Sequence, residues 1–168
     1  MRIKQTYQRL QQFVVAGTNL NDGQVIFSGQ SAKKPYITVA ASSFRSVAGP
    51  LEKDLDDSGE MKTTLSMLFT ASFQAFSNTP YEAEELLNDL YIKFSTDLQS
   101  NIFKGDMAKH RTLKPVTAMP VVLGHQIESR AILEVEMAYL KSTTDQVGLI
   151  DSIEIDANIN NRTMHLRG

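Results

Sequence analysis

The sequence predicts an α+β fold: a mostly antiparallel sheet of two hairpins plus a final strand, with a short N-terminal helix and one long helix packed on one face. Residues 61–77 alternate apolar and polar side chains, as a strand with one buried face does. Residues 131–139 alternate in the same way. Between these segments, residues 79–102 repeat apolar side chains every three or four positions, which is typical of an amphipathic helix.

The N-terminal half begins with a short helix and continues as a hairpin. Ile3, Tyr7, Leu10 and Val14 recur at helical spacing and predict the helix. From Pro35, "PYITVAASSFRSVAG" is rich in β-branched and aromatic residues and predicts a strand. We interpret the following segment, "LEKDLDDSGE" at residues 51–60, as an acidic loop that leads into the alternating strand. These two strands form the first predicted hairpin.

The long helix has the clearest local signals in the chain. Thr79 can act as N-cap, Pro80 suits the first helical position, and the Glu82 carboxylate can reach back to the Thr79 amide. The apolar stripe then spans about five turns. Its members are Ala83, Leu86, Leu87, Leu90, Tyr91, Phe94, Leu98 and Ile102.

The C-terminal half is predicted to contain a second hairpin and a last strand. A basic loop, "KGDMAKHRTLK" at residues 104–114, leads to "PVTAMPVVLG" and then to "SRAILEVEMAYLK". Residues 147–155 are predicted to be the final strand. The predicted core joins the alternating strands to the helix stripe. It consists of Leu65, Met67, Phe69, Phe73, Leu86, Leu90, Phe94, Leu133, Val135 and Met137.

Length and composition favour one folded domain. We place that domain at residues 1–156 and a polar C-terminal tail at residues 157–168, because 168 residues suit one core. Seventeen basic and nineteen acidic residues give a net charge of −2, which lacks the basic excess of a protein held on nucleic acid by phosphate contacts. The absence of cysteine excludes disulfides and thiolate chemistry. With no signal-peptide core and no apolar run of membrane-spanning length, we expect a soluble, unexported protein.

Enzyme chemistry has no convincing candidate in the sequence, so we expect no catalytic residue, no cofactor and no metal. The segment "DLDDSGE" matches the start of a calcium-binding EF-hand loop, but position 12 is Leu65 instead of glutamate. Glu134 and Glu136 share one strand face and could form a carboxylate pair for a small enzyme. Because they alternate with the apolar residues, a solvated sheet face is the better interpretation.

The two charged loops are candidates for a subunit interface. A closed ring uses two unlike, complementary patches at every contact. The acidic loop supplies Glu52, Asp54, Asp56, Asp57 and Glu60. The basic loop supplies Lys104, Lys109, Arg111 and Lys114, and a solvated loop or a phosphate contact are its alternative interpretations. We predict that the two loops meet across an interface.

An ordered set of short motifs resembles the neck or tail terminator family of tailed bacteriophages. The set begins with "PYITVAASSFRSVAGP" and continues with the alternating strand after an acidic loop and a helix packed on the sheet. It ends with "YLKSTTDQVGLIDSIEI", in which residues 143–148 match a "TTDDVG"-like turn and residues 149–155 a "YIESVEI"-like strand. The resemblance covers residues 35–156.

The resemblance implies a structural virion protein without enzymatic activity. Such a protein forms a ring, typically of six copies, that caps the tail tube at the phage neck and joins it to the head–tail connector. The implied partners are further copies of itself, the tail tube protein and the connector and neck proteins, with the sheath protein as a further candidate. DNA passes through the ring without specific binding, no membrane is involved, and assembly takes place in the host cytoplasm. A head–tail joining or tail completion protein is the alternative within the virion.

Overall fold

A computed structural model of the protein describes residues 3–47, 49–79, 81–123, 126–147, 154–159 and 162–167. Its helices are α1 (Ile3–Gly17), α2 (Glu82–Lys93) and α3 (Asp97–Phe103). Its strands are β1 (Val25–Phe27), β2 (Tyr36–Ser46), β3 (Glu52–Leu55), β4 (Glu60–Ser77), β5 (Met107–Ala118), β6 (Val121–Leu123), β7 (Gln126–Gln146), β8 (Glu154–Ile159) and β9 (Arg162–Arg167). None of the described helices is both long and apolar enough to cross a bilayer.

The chain divides into two compact units. The first comprises Met1–Gly49 and Leu65–Lys141, and the second comprises Pro50–Thr64 and Ser142–Gly168. Strands β4 and β7 therefore contribute residues to both units. In the second unit, β3 pairs antiparallel with the first residues of β4, and β8 pairs antiparallel with β9.

The main sheet is mixed. Its strand order is β1-β2-β4-β7-β5, with β3 pairing β4 and β6 pairing β7. Strand β1 is not among the predicted elements and runs parallel to β2. The first predicted hairpin is present as antiparallel pairing between β2 and β4, from Tyr36 opposite Phe76 to Ser46 opposite Met67. The second is present as antiparallel pairing of β5 and β6 with β7.

The predicted fold class is wrong, because the described residues are mostly sheet and contain no long helix on one face. The apolar stripe of residues 83–102 is divided between α2 and α3. At the break, the amides of Phe94, Ser95 and Thr96 bond to carbonyls three residues back, at 3.3, 2.9 and 3.2 Å. The Thr96 hydroxyl also donates to the Lys93 carbonyl at 2.9 Å. This tightened turn ends α2, and Thr96 then adopts the extended N-cap conformation of α3.

The predicted cap of that helix is also wrong. Tyr81 occupies the N-cap position of α2 in the left-handed region, with a φ of 65°. The Glu82 carboxylate accepts a hydrogen bond from the Ser77 hydroxyl, and that hydroxyl accepts one from the Thr79 amide at 2.9 Å. Ser77 therefore links the end of β4 to the start of α2. Pro80 lies outside the described residues.

The core lies where the helices meet one face of the sheet in the first unit. Leu10, Phe13 and Val14 of α1 are fully buried, as are Leu87 and Leu90 of α2. Of the predicted core, Met67 and Leu86 are partly buried against the cluster and Leu65 is of intermediate exposure. The other predicted members are all buried: Phe69, Phe73, Leu90, Phe94, Leu133, Val135 and Met137. The alternation in the sequence thus identified the buried sheet face.

The C-terminal predictions fall partly outside the described residues. Residues 148–153 of the predicted final strand lie outside the described residues, and β8 begins at Glu154. The backbone of β8 pairs with β9 from Glu154 opposite Arg167 to Ile159 opposite Arg162. The division into a domain of residues 1–156 and a tail of residues 157–168 stays a prediction.

Candidate subunit-interface surfaces

The acidic segment is a β-hairpin and not the predicted loop. Glu52 and Asp54 lie on β3, opposite Thr64 and Lys62 of β4. Asp56 and Asp57 lie in the connecting turn, and Glu60 begins β4. All five acidic side chains belong to exposed residues. The alternation of a strand places Glu52 and Asp54 on one face of the hairpin.

Asp56 holds the turn of this hairpin together. Its Oδ1 accepts hydrogen bonds from the Ser58 amide at 2.9 Å, the Ser58 hydroxyl at 2.7 Å and the Glu60 amide at 2.9 Å. These bonds, led by the one from the Ser58 hydroxyl, lower the pKa of the Asp56 carboxyl. Asp56 therefore stabilises the turn, and its carboxylate already accepts hydrogen bonds within the hairpin.

The calcium-like pattern lies on a β-hairpin in the structure. The segment connects two strands, whereas an EF-hand loop connects two helices. Across the described residues, no group of three or more potential metal ligands comes together. Of the histidines, His110 is exposed on β5 and His125 lies outside the described residues.

The basic segment is also mostly a strand, which corrects its interpretation as a loop. Lys104 follows α3 as its C-cap in the left-handed region, with a φ of 52°, and β5 begins at Met107. The Lys109 ammonium lies 4.5 Å from the centroid of the Tyr91 ring. A hydrogen bond with Thr112 and the Lys109 charge lower the pKa of Tyr91. Lys109 is therefore engaged by an aromatic side chain of α2.

Arg111 and Arg45, both exposed at the surface, form ion pairs with the buried carboxylate of Glu136. Glu136 is only 4% exposed, and its Oε2 accepts from Arg111 Nε at 2.8 Å while its Oε1 accepts from Arg45 at 2.6 Å. The hydrogen bond from Arg45, followed by that from Arg111, holds the pKa of Glu136 below its ordinary range despite burial. The sequence interpretation of Glu136 as part of a solvated face is wrong.

Two β-bulges bring the arginines to Glu136. On β2, Ser42 pairs with Thr70 but Arg45 pairs with Leu68, so one extra residue is inserted, and Ser43 has a φ of 55°. Without this bulge, alternation would direct Arg45 to the core face. On β5, an extra residue between Lys109 and Arg111 likewise sets Arg111 opposite Glu136. The spacing of charges in the sequence does not reveal either bulge.

A second buried carboxylate lies on the same face of β7. Glu128 is 6% exposed and forms ion pairs with Lys34 and Arg130. The hydrogen bond from Lys34 is the main cause that lowers the pKa of Glu128. Arg130 also lies 4.9 Å from the Phe76 ring, which stacks on Tyr36. In the sequence, this polar face is indicated by the charged residues at even-numbered positions of "ESRAILEVE", which are Glu128, Arg130, Glu134 and Glu136.

The enzymatic alternative based on Glu134 and Glu136 finds no support in this arrangement. A general acid requires a carboxyl whose pKa is raised toward the working pH. The two arginines do the opposite to Glu136. Glu134 lies opposite Lys114 in the strand register and is partly exposed.

The fold and these surfaces define a β-rich protein in which Asp56 stabilises a turn and Glu128 and Glu136 bind basic residues on the polar face of β7. A comparison with curated proteins found no match. The family model described as "Phage neck terminator protein" matches residues 4–162. The chain therefore belongs to the phage neck terminator family, and it is a structural protein of the virion at the phage neck. This confirms the resemblance and extends it to the N-terminal helix.

Proposed function

We propose that the protein is the terminator itself, forming a ring of six copies that caps the tail tube and joins it to the head–tail connector. The family match over residues 4–162 carries this proposal, since it spans nearly the whole chain and names the terminator. The same match favours the terminator over a head–tail joining or tail completion protein. Its partners are then its own copies, the tail tube protein, the connector and neck proteins, and the sheath protein where the tail has one.

We further propose that the acidic hairpin of one subunit meets the basic segment of the next. Closed rings need two unlike patches, and this chain carries five acidic residues within residues 52–60 and four basic residues within residues 104–114. Exposed ion pairs contribute at most about 1 kcal/mol each, so they orient the subunits more than they hold them.

Some of these charged residues already have partners within their own chain, which makes them less suited to intersubunit ion pairs. Asp56 is occupied by its turn, Lys109 by Tyr91, and Arg111 by Glu136. Glu52, Asp54, Asp57 and Glu60 form no ion pair among the described residues. The same holds for Lys104 and Lys114. These six side chains are the best candidates for the intersubunit ion pairs.

The lumen of the ring is proposed to be only weakly basic, so that DNA passes through without specific binding. Tight and salt-sensitive binding requires many phosphate contacts. Part of the cationic charge of the first unit is neutralised internally, because Glu128 and Glu136 each bind two basic residues. A bore lined by Lys104, Lys109, Arg111 and Lys114 together would contradict this proposal.

Charge reversal tests the interface. Changing Glu52, Asp54 and Asp57 to Lys should impair ring formation, and adding Lys104→Glu and Lys114→Glu should restore it at physiological salt. A matched control reverses the exposed residues Asp22, Glu85 and Asp89, which produces the same change in net charge outside the hairpin. Particle mass, symmetry by electron microscopy, and incorporation into tails are the measurements.

The charge-reversal experiment distinguishes a failed interface from a failed function. If the hairpin variant assembles as well as the control, the charged segments do not meet. If the wild-type protein forms no ring in solution or on tail tubes, the proposed function itself fails.

A further inference from the structure

Residues 50–64 and 142–147 form a three-stranded ribbon within the second unit. It consists of β3, the first residues of β4 and the end of β7, and β4 pairs with both of the other strands. Backbone hydrogen bonds join the ribbon along its length. Among them are those that the amides of Leu51, Asp56 and Val147 donate, at 2.9, 3.1 and 3.0 Å.

The described residues of the ribbon include no buried side chain. Gly59 is their one buried residue, and Leu51, Leu55 and Val147 are 62%, 47% and 51% exposed. In the first unit, by contrast, β4 buries large apolar side chains such as Phe69, which is 1% exposed. Burial of apolar surface is the dominant stabilising contribution to a fold, whereas a hydrogen bond alone adds little net stability. The ribbon is therefore much less stable than the parts of β4 and β7 that lie in the first unit.

The tip of the ribbon holds its strands together through a continuous series of contacts. Asp56 Oδ1 accepts hydrogen bonds from the amide and the hydroxyl of Ser58 at 2.9 and 2.7 Å, which fixes the turn between β3 and β4. The same turn contacts the end of β7. The Ser58 carbonyl accepts from Gln146 Nε2 at 2.9 Å, and the Gly59 carbonyl accepts from the Val147 amide at 3.0 Å. Both contacts with β7 thus depend on a turn geometry that the Asp56 carboxylate maintains.

We propose that the ribbon opens as one cooperative unit while the first unit stays folded, and that Asp56 and Gln146 form the latch that keeps it closed. Segments with few buried apolar contacts and exposed backbone hydrogen bonds open at a lower free energy than the whole protein unfolds. The series of contacts at the tip couples the three strands, because loss of the turn geometry releases both contacts with β7.

The inference concerns the single chain and does not require the ring. It nevertheless bears on assembly, because the acidic residues proposed for the subunit interface lie on this ribbon. A neighbour that binds these residues in their strand register binds only the closed ribbon. Under the proposed function, assembly therefore selects the closed state.

Hydrogen exchange of the unassembled protein, followed residue by residue by NMR, measures the opening. The amides of Leu51, Asp56 and Val147 should exchange with one common opening constant. This constant should be at least about a hundredfold larger than that of the β4 amides around Phe69. It should also depend less steeply on added urea, because opening the ribbon exposes less surface than unfolding the whole chain.

Substitutions at the tip test the latch. Asp56→Ala should raise the opening constants measured at Leu51 and at Val147 by the same factor, about tenfold, because it removes hydrogen bonds to a charged acceptor. The β4 amides of the first unit should not change. Asp57→Ala is the matched control, since it removes the same charge from the same turn and should leave both constants unchanged. Gln146→Ala breaks only the bond to the Ser58 carbonyl and should raise both constants equally, by a smaller factor.

Three outcomes would overturn the inference. Ribbon amides that exchange no faster than the β4 amides around Phe69 would show that the ribbon unfolds only with the whole protein. Faster exchange at Leu51 without a change at Val147, in Asp56→Ala or in Gln146→Ala, would show that the strands open separately. Equal effects of Asp56→Ala and Asp57→Ala would remove the latch. All these measurements are made on the unassembled protein, so failure of the inference is distinguishable from failure of the proposed ring.

Discussion

Leu90 is the residue at which the packing of the two longer helices can be measured. It is fully buried on α2, and a Cβ added at Gly17, the last residue of α1, would lie 3.2 Å from its Cδ1 and 3.3 Å from Lys93 Cγ. Helices α1 and α2 therefore approach closely at this point because position 17 has no side chain. Leu90→Ala removes the side chain that fills the space beside this glycine.

We expect Leu90→Ala to lower the free energy of unfolding by about 2–5 kcal/mol, as large-to-small changes at buried sites do. The upper half of this range is expected, because the core is closely packed: the buried rings of Phe13 and Phe94 lie with their centroids 4.5 Å apart and their planes tilted by 43°. Such packed rings have little freedom to fill the cavity.

The adjacent glycine provides a sharper test of the same geometry. Gly17→Ala alone gains at most about 0.5–1 kcal/mol in helix propensity, the full value applying to a helix interior and position 17 being the last residue of α1. It also forces a contact that costs about 1–3 kcal/mol, so the net effect is destabilising. In the Leu90→Ala background the nearer obstructing atom, Leu90 Cδ1, is gone and only Lys93 Cγ of a flexible side chain remains, so the same alanine should be less destabilising. The two changes should therefore couple by about 1–2 kcal/mol.

Urea unfolding followed by far-UV circular dichroism measures all four proteins of the cycle. Leu140→Ala is the control, because Leu140 is 57% exposed and its loss should change stability by less than about 0.5 kcal/mol. A loss below about half a kcal/mol for Leu90→Ala, or strictly additive effects in the cycle, would refute the packing described here.

Two further predictions concern buried and half-buried charges. Arg9 donates to the carbonyls of Ile102 and Phe103 at 3.2 and 2.7 Å and pairs with Asp106 at 2.5 Å. Arg9→Met should therefore cost about 1–2 kcal/mol, measured by urea unfolding, and Arg9→Lys should recover only part of it. Glu136→Gln should lower the thermal midpoint at neutral pH, because it leaves Arg45 and Arg111 without their anion. The folded-state pKa of Glu136 is depressed, so this stabilisation is present above its unfolded pKa and is lost as pH falls through the folded value. The gap between variant and wild type should narrow in acid, and a constant gap from pH 7 to pH 3 would contradict the ion-pair explanation.

The sequence alone determined the parts of the fold that depend on local periodicity. The alternation in residues 61–77 and 131–139 identified β4 and β7 and the face that each buries, since period-two patterning directly reflects a half-buried strand. It also determined the family, because the ordered motifs of residues 35–156 resembled the neck terminators and the family model then matched residues 4–162.

Helix length was decided by the tertiary structure. The apolar stripe of residues 83–102 predicts one helix, because its spacing continues across residues 94–96. Phe94 and Phe103 both pack against Phe13, at 4.5 and 5.0 Å between ring centroids. The chain breaks at Ser95 and Thr96 and continues as α3, with the rings on either side of the break both in the core.

Only the tertiary structure decided where the charged residues act. The acidic and basic segments looked like loops because charged residues disfavour strands, yet both are paired as β3 and β5 with strands that carry the apolar pattern. Glu136 looked solvated because it alternates with the core residues of β7, yet bulges in β2 and β5 direct two arginines onto it. Bulges and strand pairing depend on which distant segments lie side by side, and that information is not contained in the spacing of residues along one segment.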